Sequence, residues 1–166
     1  MYLPILLTSL FALAVSAIPL SAHAARDVIC EKPSQCLRIL SLNTSMDSAN
    51  QINFRFALQY GHDTFNESTS CSASWQAGSN GWPANYINCD NEDYRWSFSK
   101  FDSLTEWHME ATHEFVDDRL NSGYGGRYYA NGTASSADFD CEGPNDTECS
   151  LRAWHVINLL FYAAVL

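Results

Sequence analysis

Across residues 51–60 large apolar groups recur at every second position: Ile52, Phe54, Phe56, Leu58 and Tyr60 alternate with Asn53, Arg55, Ala57 and Gln59. Side chains two apart share one face of a strand, so this run reads as a half-buried antiparallel strand. The pattern returns in 68–76, where Thr69, Cys71, Ala73 and Trp75 oppose a row of four serines. It returns again in 94–101, with Tyr94, Trp96 and Phe98 on one face. The longest run is 104–116, which places Trp107, Met109, Ala111, His113 and Phe115 on one side. The other side carries Glu106, His108, Glu110, Thr112 and Glu114. Wound as a helix, that segment would scatter its apolar residues all round, so the strand template fits better.

The remaining stretches separate these runs. Residues 38–42 (RILSL) form a short strand candidate, 45–50 a polar turn and 61–67 a loop. Residues 77–85 are rich in Gly, Ser, Asn and Pro and form a second loop, and 117–126 a third. Asn131-Gly132 lies between the short runs 127–130 and 133–137, which is the composition of a two-residue hairpin turn. An acidic loop, 138–149, follows. Residues 153–166 make an apolar tail that is either a last core strand or a disordered end. About seven or eight strands and no amphipathic helix define an all-β fold: a single-domain antiparallel β-barrel or sandwich.

Residues 1–24 stand apart from this pattern. Residues 3–20 are apolar and uncharged, and Ala22-His23-Ala24 supplies the small-x-small pattern of a signal-peptidase site. The n-region has no Lys or Arg, yet the apolar core is short for a membrane span and no stop-transfer cluster follows. A cleaved secretory signal is therefore expected, then an N-terminal extension (25–37), the β domain (38–152) and the tail. The mature chain of about 140 residues has the size of one domain.

Secretion agrees with the cysteines. All six (Cys30, Cys36, Cys71, Cys89, Cys141 and Cys149) follow the leader, and no C-x-x-C pair exists. An even count in that compartment reads as a disulfide-bonded fold. Cys30 and Cys36 are near enough to close a small local loop, although either could instead link to another chain. A Cys71–Cys89 bridge would close the Gly-Ser-Asn loop and contribute about 3 kcal/mol. Four acceptor sequons, at Asn43, Asn66, Asn131 and Asn145, point to a glycoprotein. The net charge of −10 excludes nucleic acid as a partner and disfavours anionic lipid.

With these segments laid out, the chain resembles the fungal secreted proteins related to the major allergen of Alternaria. The resemblance rests on CSASW at 71–75, the return cysteine of YINC at Cys89, YRWSFSKF at 94–101, SLTEWHMEATHEF at 103–115, and the late pair Cys141 and Cys149. It covers residues from about 38 to 149. The resemblance implies a compact β-barrel, bridges Cys71–Cys89 and Cys141–Cys149, and secretion by a fungus. It also implies a homodimer linked through an N-terminal cysteine, although two such cysteines make a local bridge an equal alternative. The apolar tail departs from the family. Members act as allergens, elicitors of plant defence or binders of small aromatic ligands, and no catalytic motif comes with the resemblance.

Candidate chemistry is sparse. His108 and Glu110 share a face, but His113 points to the other, so a metal site lacks its second imidazole. His113 interrupts an apolar face and reads as a core histidine. Asp138, Asp140 and Gly143 begin like a calcium loop, but Cys149 occupies the twelfth place and Glu148 falls one short. There is no G-x-S-x-G, and the cysteines are committed to disulfides. The expectation is a non-catalytic secreted binding protein without a cofactor or metal. Its partner would be a host protein, a cell-wall component or a small aromatic ligand, met by Trp82, Tyr124 and Tyr128. Trp82 has a competing assignment, a loop packed on its own disulfide. The alternative function is a secreted hydrolase with an unrecognised carboxylate site.

Overall fold

A computed structural model describes residues 30, 35–62, 65–116 and 125–166. The expected leader (1–24) and residues 117–124 of the expected loop, including Tyr124, lie outside the described residues. Among the described residues ten strands follow one another: β1 (Cys36–Met46), β2 (Gln51–His62), β3 (Phe65–Gln76), β4 (Ile87–Asn88), β5 (Tyr94–Phe101), β6 (Trp107–Val116), β7 (Gly125–Ala134), β8 (Phe139–Glu142), β9 (Glu148–Leu151) and β10 (Ile157–Val165). All pair antiparallel in one sheet ordered β3-β2-β1-β10-β7-β6-β5-β4. The sheet curls into a nearly closed barrel, as the alternating pattern requires: one face of each strand must be covered, and the sheet covers itself.

β1 has two partners on one side. Cys36 to Ile39 pair with β10, whereas Asn43 to Ser45 pair with β9. A register shift in the β1–β2 ladder between Ile39 and Ser41 marks the change of direction, as expected of a bulge. The β8–β9 hairpin thereby branches from the barrel wall, held by the Cys141–Cys149 bridge at opposed positions.

Among the described residues no strand ladder closes the barrel. Its outermost strands, β3 and β4, meet at a seam crossed by the Cys71–Cys89 bridge, whose Cα atoms are 4.3 Å apart. Three hydrogen bonds reinforce it: Asp90 N to Ser70 O at 2.8 Å, Asn91 N to Thr69 Oγ1 at 2.9 Å, and Asn91 Nδ2 to Glu67 Oε1 at 2.9 Å. The third bridge joins Cys30 to Cys36. All six cysteines are thus paired within the chain, which leaves no thiol free to link two copies.

Aromatic rings fill the interior. Phe54 contacts Trp96, Phe98 and Trp107 at centroid distances of 5.7, 5.1 and 5.7 Å, and Phe56 meets Trp96 edge-on at 5.0 Å. These are the spacings at which ring quadrupoles attract. Trp107, Met109, Ala111 and His113 of β6 are all buried, as the alternation predicted.

Three local expectations need correction. Asn131-Gly132 is not a hairpin tip: β7 runs straight through it. A Cβ on Gly132 would stand 2.6 Å from Leu159 Cδ2 and 2.7 Å from the Asn158 carbonyl oxygen, so this glycine permits close approach of β10. The 61–67 loop contracts, because β2 extends to His62 and β3 starts at Phe65. The acidic 138–149 segment is largely the β8–β9 hairpin, stabilised by cross-strand pairing that alternation alone did not show. The tail forms β10, hydrogen-bonded between β1 and β7 near the middle of the sheet order.

Candidate functional site

One end of the barrel opens into a cleft of about 720 Å³. Its apolar lining comes from strand ends: Met46 closes β1, Ile52 is second in β2, Trp75 precedes the end of β3, Phe101 ends β5 and Phe139 starts β8. Leu104 and Trp82 enter from loops. Trp75 sits edge-on to Phe101 at 5.0 Å and contacts Phe54 at 6.3 Å, so the cleft continues the interior aromatic stack. The rim is polar, with Ser79, Asn80, Asp102, Ser103, Thr105, Asn145 and Asp146. Asp102 is held by Lys100 at 2.7 Å.

Trp82 is half-buried, with its ring 6.3 Å from that of Phe98. The loop carrying it, residues 77–86, is fastened to the barrel where the Phe98 amide donates to the Pro83 carbonyl at 2.8 Å. Ser79 starts the loop with a hydrogen bond from its hydroxyl to the Gln76 carbonyl at 2.6 Å. Gly78, at φ 73°, makes the left-handed step that the turn needs.

Tyr128 lies at the opposite end of the barrel, stacked between Phe115 at 4.4 Å and Phe161 at 4.7 Å. Trp82 and Tyr128 therefore do not form one surface. Beside Tyr128 at that end, His113 stacks on Tyr94 at 4.2 Å and contacts Tyr60 at 4.8 Å. It is 3% exposed, and burial pushes its pKa down to about 4 against an opposing pull from Asp93. Glu67 Oε2 lies 3.6 Å from Nε2, but its side chain is 44% exposed, so water screens it. A neutral buried imidazole is a packing element at neutral pH.

A second, polar groove of about 700 Å³ crosses the outer faces of β1–β3 and the β8–β9 hairpin. Asn43, Asn53, Arg55, Asp140, Glu142 and Glu148 line it. Asp140 is engaged by Arg152 at 3.0 Å. Among the described residues no group of three or more His, Cys, Asp or Glu is placed to hold a metal ion. His108 is exposed, and Glu110 accepts a hydrogen bond from Tyr86 at 2.8 Å.

Of the sequons, Asn43, Asn131 and Asn145 are exposed, on β1, on β7 and in the β8–β9 connection, and Asn66 lies in β3. The sequence reading missed Met46, Ile52, Trp75, Phe101 and Leu104 as cleft residues: Ile52 and Trp75 read as core, Met46 fell in the polar turn, and Phe101 and Leu104 stood outside the inward sets of their runs. The available signal was positional: four of the five stand at or next to a strand end, where inward residues line a mouth. No family model matches the chain, and neither the curated proteins nor the solved structures yielded a match. Among the described residues, no helix is long and apolar enough to cross a membrane.

Proposed function

We propose that this is a secreted binding protein of the kind its sequence resembles, taking a small apolar or aromatic ligand in the cleft at one barrel end. The observation that carries this reading is the lining: Trp75, Trp82, Phe101, Met46, Ile52 and Leu104 around about 720 Å³, beneath a polar rim. Barrel mouths with apolar walls and a few polar rim groups are frequent ligand sites, and this volume suits a small molecule. Of the acids on the rim, Asp102 is engaged by Lys100. Secretion by a fungus is supported by the leader, the sequons and the Alternaria-allergen motifs. Three intrachain disulfides agree with an oxidising compartment.

The test is fluorescence titration of the purified protein with small aromatic and aliphatic compounds, reading Trp75 and Trp82. Saturable quenching is expected at one ligand per chain. Trp82→Ala should weaken it at least tenfold with an unchanged circular dichroism spectrum. Absence of saturable binding across the panel would overturn the reading. Turnover of an ester or glycoside panel would replace it with the hydrolase, whose carboxylates would then be sought in the polar groove.

A further inference from the structure

The outer face of β6, β7 and β10 carries aromatic rings that the barrel interior does not use. On β7 the alternation turns Tyr128 and Ala130 inward and Tyr129, Asn131 and Thr133 outward. Asn131 stands opposite Glu110 on β6 and opposite Leu160 on β10. Tyr129, two residues earlier on the same face, is about 7 Å away along the strand. Its ring centroid is 6.3 Å from that of Tyr162 on β10, which is 54% exposed. Tyr86, 38% exposed, leans over the same face and donates its hydroxyl to Glu110 Oε2 at 2.8 Å. Burial, then Glu110 and Tyr162, raise the Tyr86 phenol above its ordinary pKa.

Three tyrosines and one carboxylate therefore surround an exposed asparagine in an Asn-Gly-Thr acceptor. The hydroxyl that the acceptor requires, on Thr133, is exposed on the same face. A pyranose ring offers what such a patch accepts: an apolar C–H face for aromatic rings, and N–H and O–H donors for a carboxylate. A protein partner docking flat on this face would have to accommodate any sugar anchored at its centre.

We propose that Asn131 carries an N-linked glycan whose first N-acetylglucosamine lies on Tyr129 and Tyr162, bordered by Tyr86 and Glu110, and covers this apolar face. The proposal rests on the secretion reading above, because the modification needs a glycosylating compartment. In the transfer, the Asn131 amide nitrogen attacks the anomeric carbon of a lipid-pyrophosphate-linked oligosaccharide. The C–N bond forms, the C–O bond to the pyrophosphate breaks, the amide loses one proton and the lipid pyrophosphate leaves.

The full chain with its leader is expressed in a glycosylating eukaryotic host, as wild type and with Asn43, Asn66 and Asn145 changed to Gln. Peptide mass analysis should find Asn131 occupied in protein from the medium. Trimming to a single sugar should leave Tm unchanged, whereas complete removal should lower it by about 2–4 °C. In Tyr129→Ser/Tyr162→Ser that drop should vanish, as a double-mutant cycle requires of a direct contact. The acetyl methyl proton of the retained sugar should be shifted upfield by the rings in the wild type alone. Retention in the cell with every sequon bare would overturn the secretion reading and this proposal with it. Secretion with Asn131 bare, or a Tm drop and methyl shift indifferent to the tyrosines, would overturn this proposal alone.

Discussion

Replacing Cys71 and Cys89 by alanine should do more than shorten a chain constraint, because their bridge is the covalent closure of the barrel. The three bridges span separations of 18, 8 and 6 residues. Chain entropy alone assigns them about 3, 2.5 and 2 kcal/mol, a spread of only about 1 kcal/mol. Cys71–Cys89 also holds β3 against β4, where three further hydrogen bonds complete the seam. At about 1 kcal/mol each, loss of even half of these brings the expected cost to about 4–5 kcal/mol. Urea denaturation, compared with Cys30→Ala/Cys36→Ala, should give a difference of about 2–3 kcal/mol between the two variants. Hydrogen exchange should accelerate at the β3 and β4–β5 edges while β1, β10 and β7 keep their protection. Equal costs for the two variants, or a uniform rise in exchange over the whole sheet, would refute the seam.

Acidification should act through His113. Above pH 6.5 the imidazole is neutral in both folded and unfolded chains and contributes no pH dependence. Between pH 6.5 and about 4 the unfolded chain binds a proton that the folded chain refuses, so stability falls as pH falls through this window, by about 2–3 kcal/mol in total. His113→Phe should remove that part of the slope in urea titrations run at successive pH values; an unchanged slope would show that the proton goes elsewhere. Gly132→Ala should cost about 1–3 kcal/mol through collision with the β10 backbone, measured by the same denaturation. Gly78→Ala, with open space but φ 73°, should cost about 1–2 kcal/mol. Ending the chain at residue 156 removes β10 and separates β1 from β7; near-UV circular dichroism should then vanish, and a native-like spectrum would show that the barrel closes without it.

Period-two alternation made β2, β3, β5 and β6 legible because each packs one face on the same core and turns the other outward. The inward set of β6 could be named residue by residue for that reason. Gly132 shows where this reasoning stops. Its neighbour Asn131 makes a turn the best local assignment, and only the backbone of β10 passing within van der Waals distance requires the glycine in an extended strand. That contact is non-local, so local composition misreports it. The tail could be read as a last core strand or as a disordered end for a related cause: its buried residues, Ile157 and Leu159, give way to exposed Tyr162, Ala163, Ala164 and Val165, and a half-buried strand with an apolar outer face loses its alternation. The cleft was hidden because its walls are strand-end core residues, which become a mouth only once register aligns them.

The seam and the cleft are mechanically one structure. The 18-residue separation from Cys71 to Cys89 includes the 77–86 loop, so the bridge anchors both the barrel edge and the segment that carries Trp82. Phe98 binds that loop twice, through its amide to the Pro83 carbonyl and through its ring to Trp82. Phe98 also belongs to the interior stack with Phe54 and Trp107. Opening the seam frees the loop's two ends from each other, and the loop is then held by the Phe98 amide to Pro83, the Phe98–Trp82 ring contact, the Ala77 amide to the Asn50 carbonyl and the Tyr86 hydroxyl to Glu110. A ligand seated against Trp82 and Trp75 would resist that opening by binding the closed form alone. Ligand affinity and protection of the β3 edge should therefore rise and fall together.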